Sequence, residues 1–215
     1  MNAKKIVTAG LALVMVAGIS VAGTLAYLTS TADKVTNTFT VGEGVAISLD
    51  ELDVDNSTPD KDRDTANRYE LAPGGVYVKD PTVHVEGESC LVFVKVVNNL
   101  TTTEEMTTGD SYKDAEGETQ EYKTIAEQMT ENGWYPVAGE ENVYVYGTSA
   151  TAPTAVEKGT NLVVFGYFGI DSGLDNDAYK GLDNKTIEVE AFAIQADKMD
   201  LATAISQLPQ DWAQD

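Results

Sequence analysis

Histidine and cysteine are nearly absent from this chain, which has one of each, His84 and Cys90. A zinc-protease helix needs two histidines four residues apart, and a nucleophilic serine of the hydrolase type sits in a Gly-x-Ser-x-Gly turn; the sequence has neither. Cys90 cannot form an internal disulfide, and its apolar neighbours predict a buried, unreactive thiol rather than a Cys90–His84 dyad. We therefore expect no enzyme.

Basic residues are also scarce, with 14 lysines and arginines against 35 acidic residues. Residues 1–26 contain two of these bases and no acid, so the remaining chain has 12 bases and a formal charge of −23. Nucleic acids and anionic lipids attract basic surfaces, so neither is an expected partner. The charge suits a solvated surface, divalent cations or basic polymers.

Charge is lacking altogether in the run Ile6–Ala26, which follows Lys4 and Lys5. This order of a basic start, an apolar stretch and a small-residue end predicts a secretion signal, helical in form and cleaved between Ala26 and Tyr27. The alternative is an uncleaved membrane anchor, since the apolar run is long enough to span a bilayer. We expect a secreted, cell-surface protein that contacts the membrane only through an uncleaved signal.

Beyond the signal, apolar and polar residues alternate with the period of two that is typical of strands. Cys90–Asn98 is apolar on both faces and predicts a strand near the middle of a sheet, and Leu162–Ile170 predicts another buried strand. Helices are expected only at Lys123–Asn132 and Asp200–Gln207. These patterns predict an all-β fold: an antiparallel two-sheet sandwich of jelly-roll type with one or two short helices. The expected organisation is 1–26 signal, 27–39 N-terminal strand and 40–215 a single domain.

Acidic loops raise the question of calcium, which prefers oxygen ligands. Asp60, Asp62 and Asp64 alternate along the loop after residue 50, and they are the calcium candidates, although the glutamate that closes an EF-hand is missing. Solvated acidic loops are the alternative interpretation. No other cofactor is expected.

Three stretches resemble the TasA/camelysin family of Gram-positive exported proteins. The segment 23–42, GTLAYLTSTADKVTNTFTVG, resembles the end of the signal and the first strand of that family. Residues 71–81 with Cys90–Val97 resemble its middle strands, and Ile187–Asp197 resembles its last strand. The match thus covers both ends and the centre, and leaves out the loops at 50–68, 101–120 and 147–158.

The resemblance implies a jelly-roll subunit of biofilm-matrix fibres, released by a dedicated SipW-like signal peptidase. Subunits of such fibres assemble as a homopolymer by donor-strand exchange, in which the freed N-terminal segment of one copy completes a sheet of the next. The donor strand would run from Tyr27 to Phe39, and the residues implied in it are Tyr27, Leu28, Val35, Thr36, Thr38 and Phe39.

Two other functions remain open from the sequence. The first is a monomeric, adhesin-like surface module that binds through the loops 101–120 and 147–158. The second is a secreted metallopeptidase, a label given to some camelysin-like proteins. The single histidine, His84, departs from what that label requires.

Overall fold

The computed structural model describes residues 44–57, 62–114 and 116–212, which all belong to one compact unit, Val41–Asp215. The predicted signal, its cleavage site at Ala26 and Tyr27, and the predicted N-terminal strand 27–39 lie outside the described residues. Among the residues described, no helix is long and apolar enough to cross a membrane.

The described residues form thirteen strands and three short helices. The strands are β1 Ile47–Leu52, β2 Arg63–Asp64, β3 Val76–Val78, β4 Thr82–Val85, β5 Cys90–Asn98, β6 Ser111–Lys113, β7 Thr119–Glu121, β8 Trp134–Pro136, β9 Val143–Ser149, β10 Ala152–Pro153, β11 Asn161–Val163, β12 Tyr167–Gly169 and β13 Ile187–Gln195. The helices are α1 Ile125–Glu131, α2 Asn176–Lys180 and α3 Leu201–Ile205.

The strands pair in two larger sheets and two ribbons. The first sheet has the order β11-β4-β1-β2, and the second has the order β10-β9-β5-β13 with β8 also paired to β9. The pairs β3–β12 and β6–β7 form the ribbons. All these pairings are antiparallel, which confirms the all-β, antiparallel prediction.

Strand β5 is buried on both faces, as its sequence predicted. Val92 and Val94 point into the main core, which the first sheet supplies with Val83 and Val85 of β4. Successive side chains of a strand alternate between its faces, so Phe93 points into a second core on the other side of the sheet. One strand therefore ties both cores together.

Helix α3 and the segment after it cover the outer face of the second sheet. Asp200 accepts a hydrogen bond from the Thr203 backbone N–H at 2.7 Å, which caps the start of the helix. Trp212 packs edge-on against Phe192 of β13 and is 2% exposed. The helix predicted over Asp200–Gln207 is thus confirmed, although it ends at Ile205.

The single buried strand predicted over Leu162–Ile170 is wrong, because β11 and β12 belong to different sheets. The chain changes direction between them, where the Gln128 Oε1 atom accepts hydrogen bonds from the backbone N–H groups of Gly166 and Tyr167. A continuous apolar run therefore covers two strands.

Three predicted loops also contain short regular elements. The loop at 50–68 holds the end of β1 and all of β2, the loop at 101–120 holds β6 and part of β7, and the loop at 147–158 holds the end of β9 and all of β10.

Candidate functional site

The outer edge of β13 carries backbone groups that no described strand pairs with. Just before the strand, Asn99 N donates a hydrogen bond to Thr186 O, and just after it Ala196 N donates one to Ser89 O. The backbone groups of the even-numbered residues of β13 therefore point toward β5. Residues of an antiparallel edge strand face the neighbour and the outside alternately. The outward-facing donors and acceptors are therefore those of Ile187, Val189, Ala191, Ala193 and Gln195.

Strand β1 brings a second open edge to the same side of the fold, where it lies against β13. Ala46 O accepts hydrogen bonds from Glu86 N and Gly87 N, so the even-numbered residues of β1 face β4. The short strand β2 pairs only with Glu51 and Leu52. The outward backbone groups of Ile47 and Leu49 thus have no strand partner among the described residues.

A groove of 1310 Å³ runs along this open side. Its lining is mixed: apolar residues such as Leu49, Leu71, Leu100, Phe168, Leu182, Ile187 and Val189 alternate with charged residues such as Glu51, Lys79, Glu188 and Glu190. Tyr69 packs edge-on against Phe168 with ring centroids 5.2 Å apart. Small-molecule pockets usually occupy about 300–1,000 Å³, so the groove is larger than one small ligand requires.

The other edge of the first sheet, formed by β11, is covered by side chains. The Trp134 indole Nε1 donates to Val163 O at 2.9 Å, and Asn132 Nδ2 donates to Val164 O at 3.3 Å. Helix α1 positions these groups, and Thr124 begins it with a capping box that includes Glu127. The open edges of β1 and β13 therefore contrast with an edge whose acceptors are covered.

Arg63 of β2 joins the polar face of the first sheet beside the groove. Its guanidinium donates to Asp50 at 2.5 Å, to Asp80 at 2.8 Å and to the Thr82 hydroxyl at 3.0 Å. Burial raises the pKa of Asp50, but hydrogen bonds from Arg63 and His84 outweigh this effect and hold that pKa below its ordinary value. This network holds Asp50 of β1 in place.

His84 lies on β4 of the first sheet and Cys90 on β5 of the second, and the hydrogen bonds of His84 go to other residues, so the two do not form a dyad. The His84 Nε2 atom is 2.8 Å from Asp50 Oδ1, and its Nδ1 atom is 2.8 Å from Asn161 Oδ1. The hydrogen bond with Asp50 raises the pKa of His84. Cys90 is fully buried, and this burial, helped by the charge of Glu157, raises the pKa of the thiol. The prediction of a buried thiol is confirmed.

The predicted calcium residues are only partly within the described structure. Asp60 lies outside it. The backbone O of Asp62 accepts a bond from Asp53 N, and the Asp64 carboxylate accepts bonds from the Ser57 hydroxyl and Thr65 N. Across residues 44–57, 62–114 and 116–212, no three His, Cys, Asp or Glu side chains are grouped to hold a metal ion.

The open edges were not predicted from the sequence, which suggested a donor segment at 27–39 but no acceptor for it. The apolar odd-numbered residues of Ile187–Gln195 marked a buried face, but the absence of a neighbour is a property of strand order. Comparisons of the chain with protein-family models, curated proteins and solved structures gave no match.

Proposed function

We propose that this chain is an exported structural subunit of extracellular fibres. In this proposal, the segment Tyr27–Phe39 of one copy pairs with the open edge of β13 in the next copy. The observation that carries the proposal is the outer edge of β13, which is nine residues long, has no described partner strand and lies beside a groove with apolar and charged lining residues.

Backbone pairing supplies the affinity in this assembly. An open edge presents unpaired N–H and C=O groups, and an added strand satisfies them. Five residues of β13, from Ile187 to Gln195, face outward over a span of about 26 Å at roughly 3.3 Å per residue. The thirteen residues from Tyr27 to Phe39 are long enough to cover it.

Side-chain alternation in the donor fits the groove. Val35 and Phe39 share one face of an extended chain with Asn37 between them, and Thr36 and Thr38 lie on the other. The apolar face would contact the floor of the groove, while the threonines would face solvent. The stretch also contains no proline or glycine, which would weaken a strand.

The sequence resemblance supports the same function. Residues 23–42 resemble the signal and first strand of the TasA/camelysin family, whose members form biofilm-matrix fibres. On this basis the domain is of the jelly-roll type, and a SipW-like signal peptidase cuts between Ala26 and Tyr27. Cleavage would release the donor, because a membrane-tethered N-terminus cannot reach a neighbouring subunit. The protein would then act at the cell surface and in the extracellular matrix.

Electron microscopy of the mature chain, which begins at Tyr27, tests this function. We expect filaments at micromolar concentration and only discrete particles after deletion of Tyr27–Thr36, with the circular dichroism of the domain unchanged. Two double variants test the same point without shortening the donor segment. Val35→Lys with Phe39→Lys places charges on the groove-facing side, while Thr36→Lys with Thr38→Lys places the same charges on the solvent side. Filaments from the first pair, or from the deletion, would contradict the proposal.

A further inference from the structure

Glu51, Asn67 and Lys79 form a compact triad in the wall of the groove. One carboxylate oxygen of Glu51 accepts a hydrogen bond from Lys79 Nζ at 2.6 Å. The other accepts a hydrogen bond from Asn67 Nδ2 at 3.0 Å. We propose that Lys79 and Asn67 become joined by an isopeptide bond, with Glu51 as the catalytic residue. This inference does not depend on fibre assembly.

The Asn67 amide is held at all of its polar atoms. Its Nδ2 group donates to Leu52 O at 2.8 Å as well as to Glu51, and its Oδ1 atom accepts from Val54 N at 2.9 Å. A backbone N–H aimed at a carbonyl oxygen stabilises the negative charge that develops there when a nucleophile attacks the carbon. The amide is therefore both oriented and polarised.

Two of the three side chains are largely shielded from water, and Asn67 is partly exposed. The Glu51 side chain is 6% exposed and the Lys79 side chain is 11% exposed. Tyr69 lies close by: burial, together with the charge of Glu51, raises the pKa of its hydroxyl. A buried ion pair retains a large desolvation cost, whereas an amide removes the charge from the lysine. Both reacting side chains are held against the same carboxylate, so the reaction between them is intramolecular.

The chemistry balances without a cofactor or an oxidant. Glu51 takes a proton from the Lys79 ammonium, and the resulting amine attacks Asn67 Cγ to give a tetrahedral intermediate. Glu51 then returns the proton to the departing Nδ2 group as the C–N bond breaks. The products are a Lys79 Nζ–Asn67 Cγ amide, an ionised Glu51 and one ammonium ion, which carries the two Nδ2 protons and two protons from the lysine.

A second buried pair provides a control. Lys185 Nζ contacts Glu104 Oε2 at 2.5 Å, and the Lys185 and Glu104 side chains are 23% and 10% exposed. The other recorded partner of the Glu104 carboxylate is the backbone N–H of Thr101, not a carboxamide. The pair thus has the amine and the carboxylate without the electrophile.

Intact-mass spectrometry of the purified, folded chain tests the proposal. We expect the protein to be lighter than its encoded mass by one ammonia, about 17 Da. Proteolysis should then release a branched peptide that contains both Asn67 and Lys79, which separates this product from cyclisation of a single residue. Lys79→Arg, Asn67→Ala and Glu51→Gln should each restore the full mass, and Lys185→Arg should retain the loss.

Two conservative variants distinguish loss of the bond from a folding defect. Lys79→Arg preserves the ion pair but lacks a nucleophilic amine, so its circular dichroism should match that of the unchanged protein. Asn67→Asp offers a carboxyl group at the same place and should lose water, about 18 Da, in place of ammonia. The full encoded mass in the unchanged folded protein would overturn the proposal. A mass loss that persists in Lys79→Arg would overturn it as well.

Discussion

Trp134 donates a hydrogen bond from its indole Nε1 to the carbonyl oxygen of Val163, at a distance of 2.9 Å. The indole is fully buried and covers the outer edge of β11, where an unpaired acceptor would otherwise face the core. Leaving a buried acceptor without a partner costs free energy, so this contact stabilises the closed side of the fold.

Trp134→Phe should therefore lower the free energy of unfolding by about 1–3 kcal/mol for the lost hydrogen bond alone. Urea denaturation followed by circular dichroism measures the change. Trp212→Phe is the matched control, because Trp212 Nε1 donates to the carboxylate of Glu190, an exposed residue that water can solvate. A larger loss in Trp212→Phe than in Trp134→Phe would contradict this view of the closed edge.

His84 makes the stability of the domain depend on pH. Its folded-state pKa is raised by the hydrogen bond with Asp50, although burial and the nearby Arg63 oppose the shift. A group that binds its proton more tightly when folded stabilises the fold below its unfolded pKa, about 6.5 for histidine. This contribution is lost as the pH rises through the folded pKa. Asp50 acts in the opposite sense. Because its folded-state pKa is lowered, its ionised form stabilises the fold, and this contribution is lost only as the pH falls through the folded-state pKa.

His84→Asn should thus be most destabilising, relative to the unchanged protein, between about pH 4 and pH 6.5. The difference in the free energy of unfolding should shrink as the pH rises further. Urea titrations of both proteins across this range provide the measurement. A difference that grows above neutral pH would show that the His84–Asp50 pair does not act as described.

Cys90 should resist thiol reagents in the folded protein. The side chain is fully buried in the main core, and its raised pKa leaves little thiolate at neutral pH. We expect a thiol-reactive dye to label the chain only when denaturant unfolds it. Rapid labelling without denaturant would mean that the strand pairing of β5 opens locally.

The fold could largely be predicted where the pattern of residues reflects burial. Cys90–Asn98 carries apolar side chains on both faces, and the structure places it between β9 and β13 with a core on each side. The run Leu162–Ile170 was misread because apolar character records burial and not sheet membership. Only a distant side chain, Gln128, marks the point at which the chain changes sheets.

The groove and the triad could not be predicted in the same way. An open edge depends on which strands are neighbours, and no local pattern around Ile187–Gln195 encodes the missing partner. Glu51, Asn67 and Lys79 are 12 to 28 residues apart in the chain and meet only because β2 folds back along β1. The donor segment 27–39 is a prediction from the family resemblance, and it lies outside the described residues.

Proline substitution at Val189 tests the account of the β13 edge most directly. The Val189 N–H faces away from β5, so Val189→Pro removes an outward donor and leaves the hydrogen bonds between β5 and β13 intact. Val189→Ala truncates the same side chain and keeps the donor. We predict that both mature variants fold, that Val189→Ala forms filaments in electron micrographs, and that Val189→Pro remains as single particles. Equal filament formation by the two variants would contradict pairing at this edge.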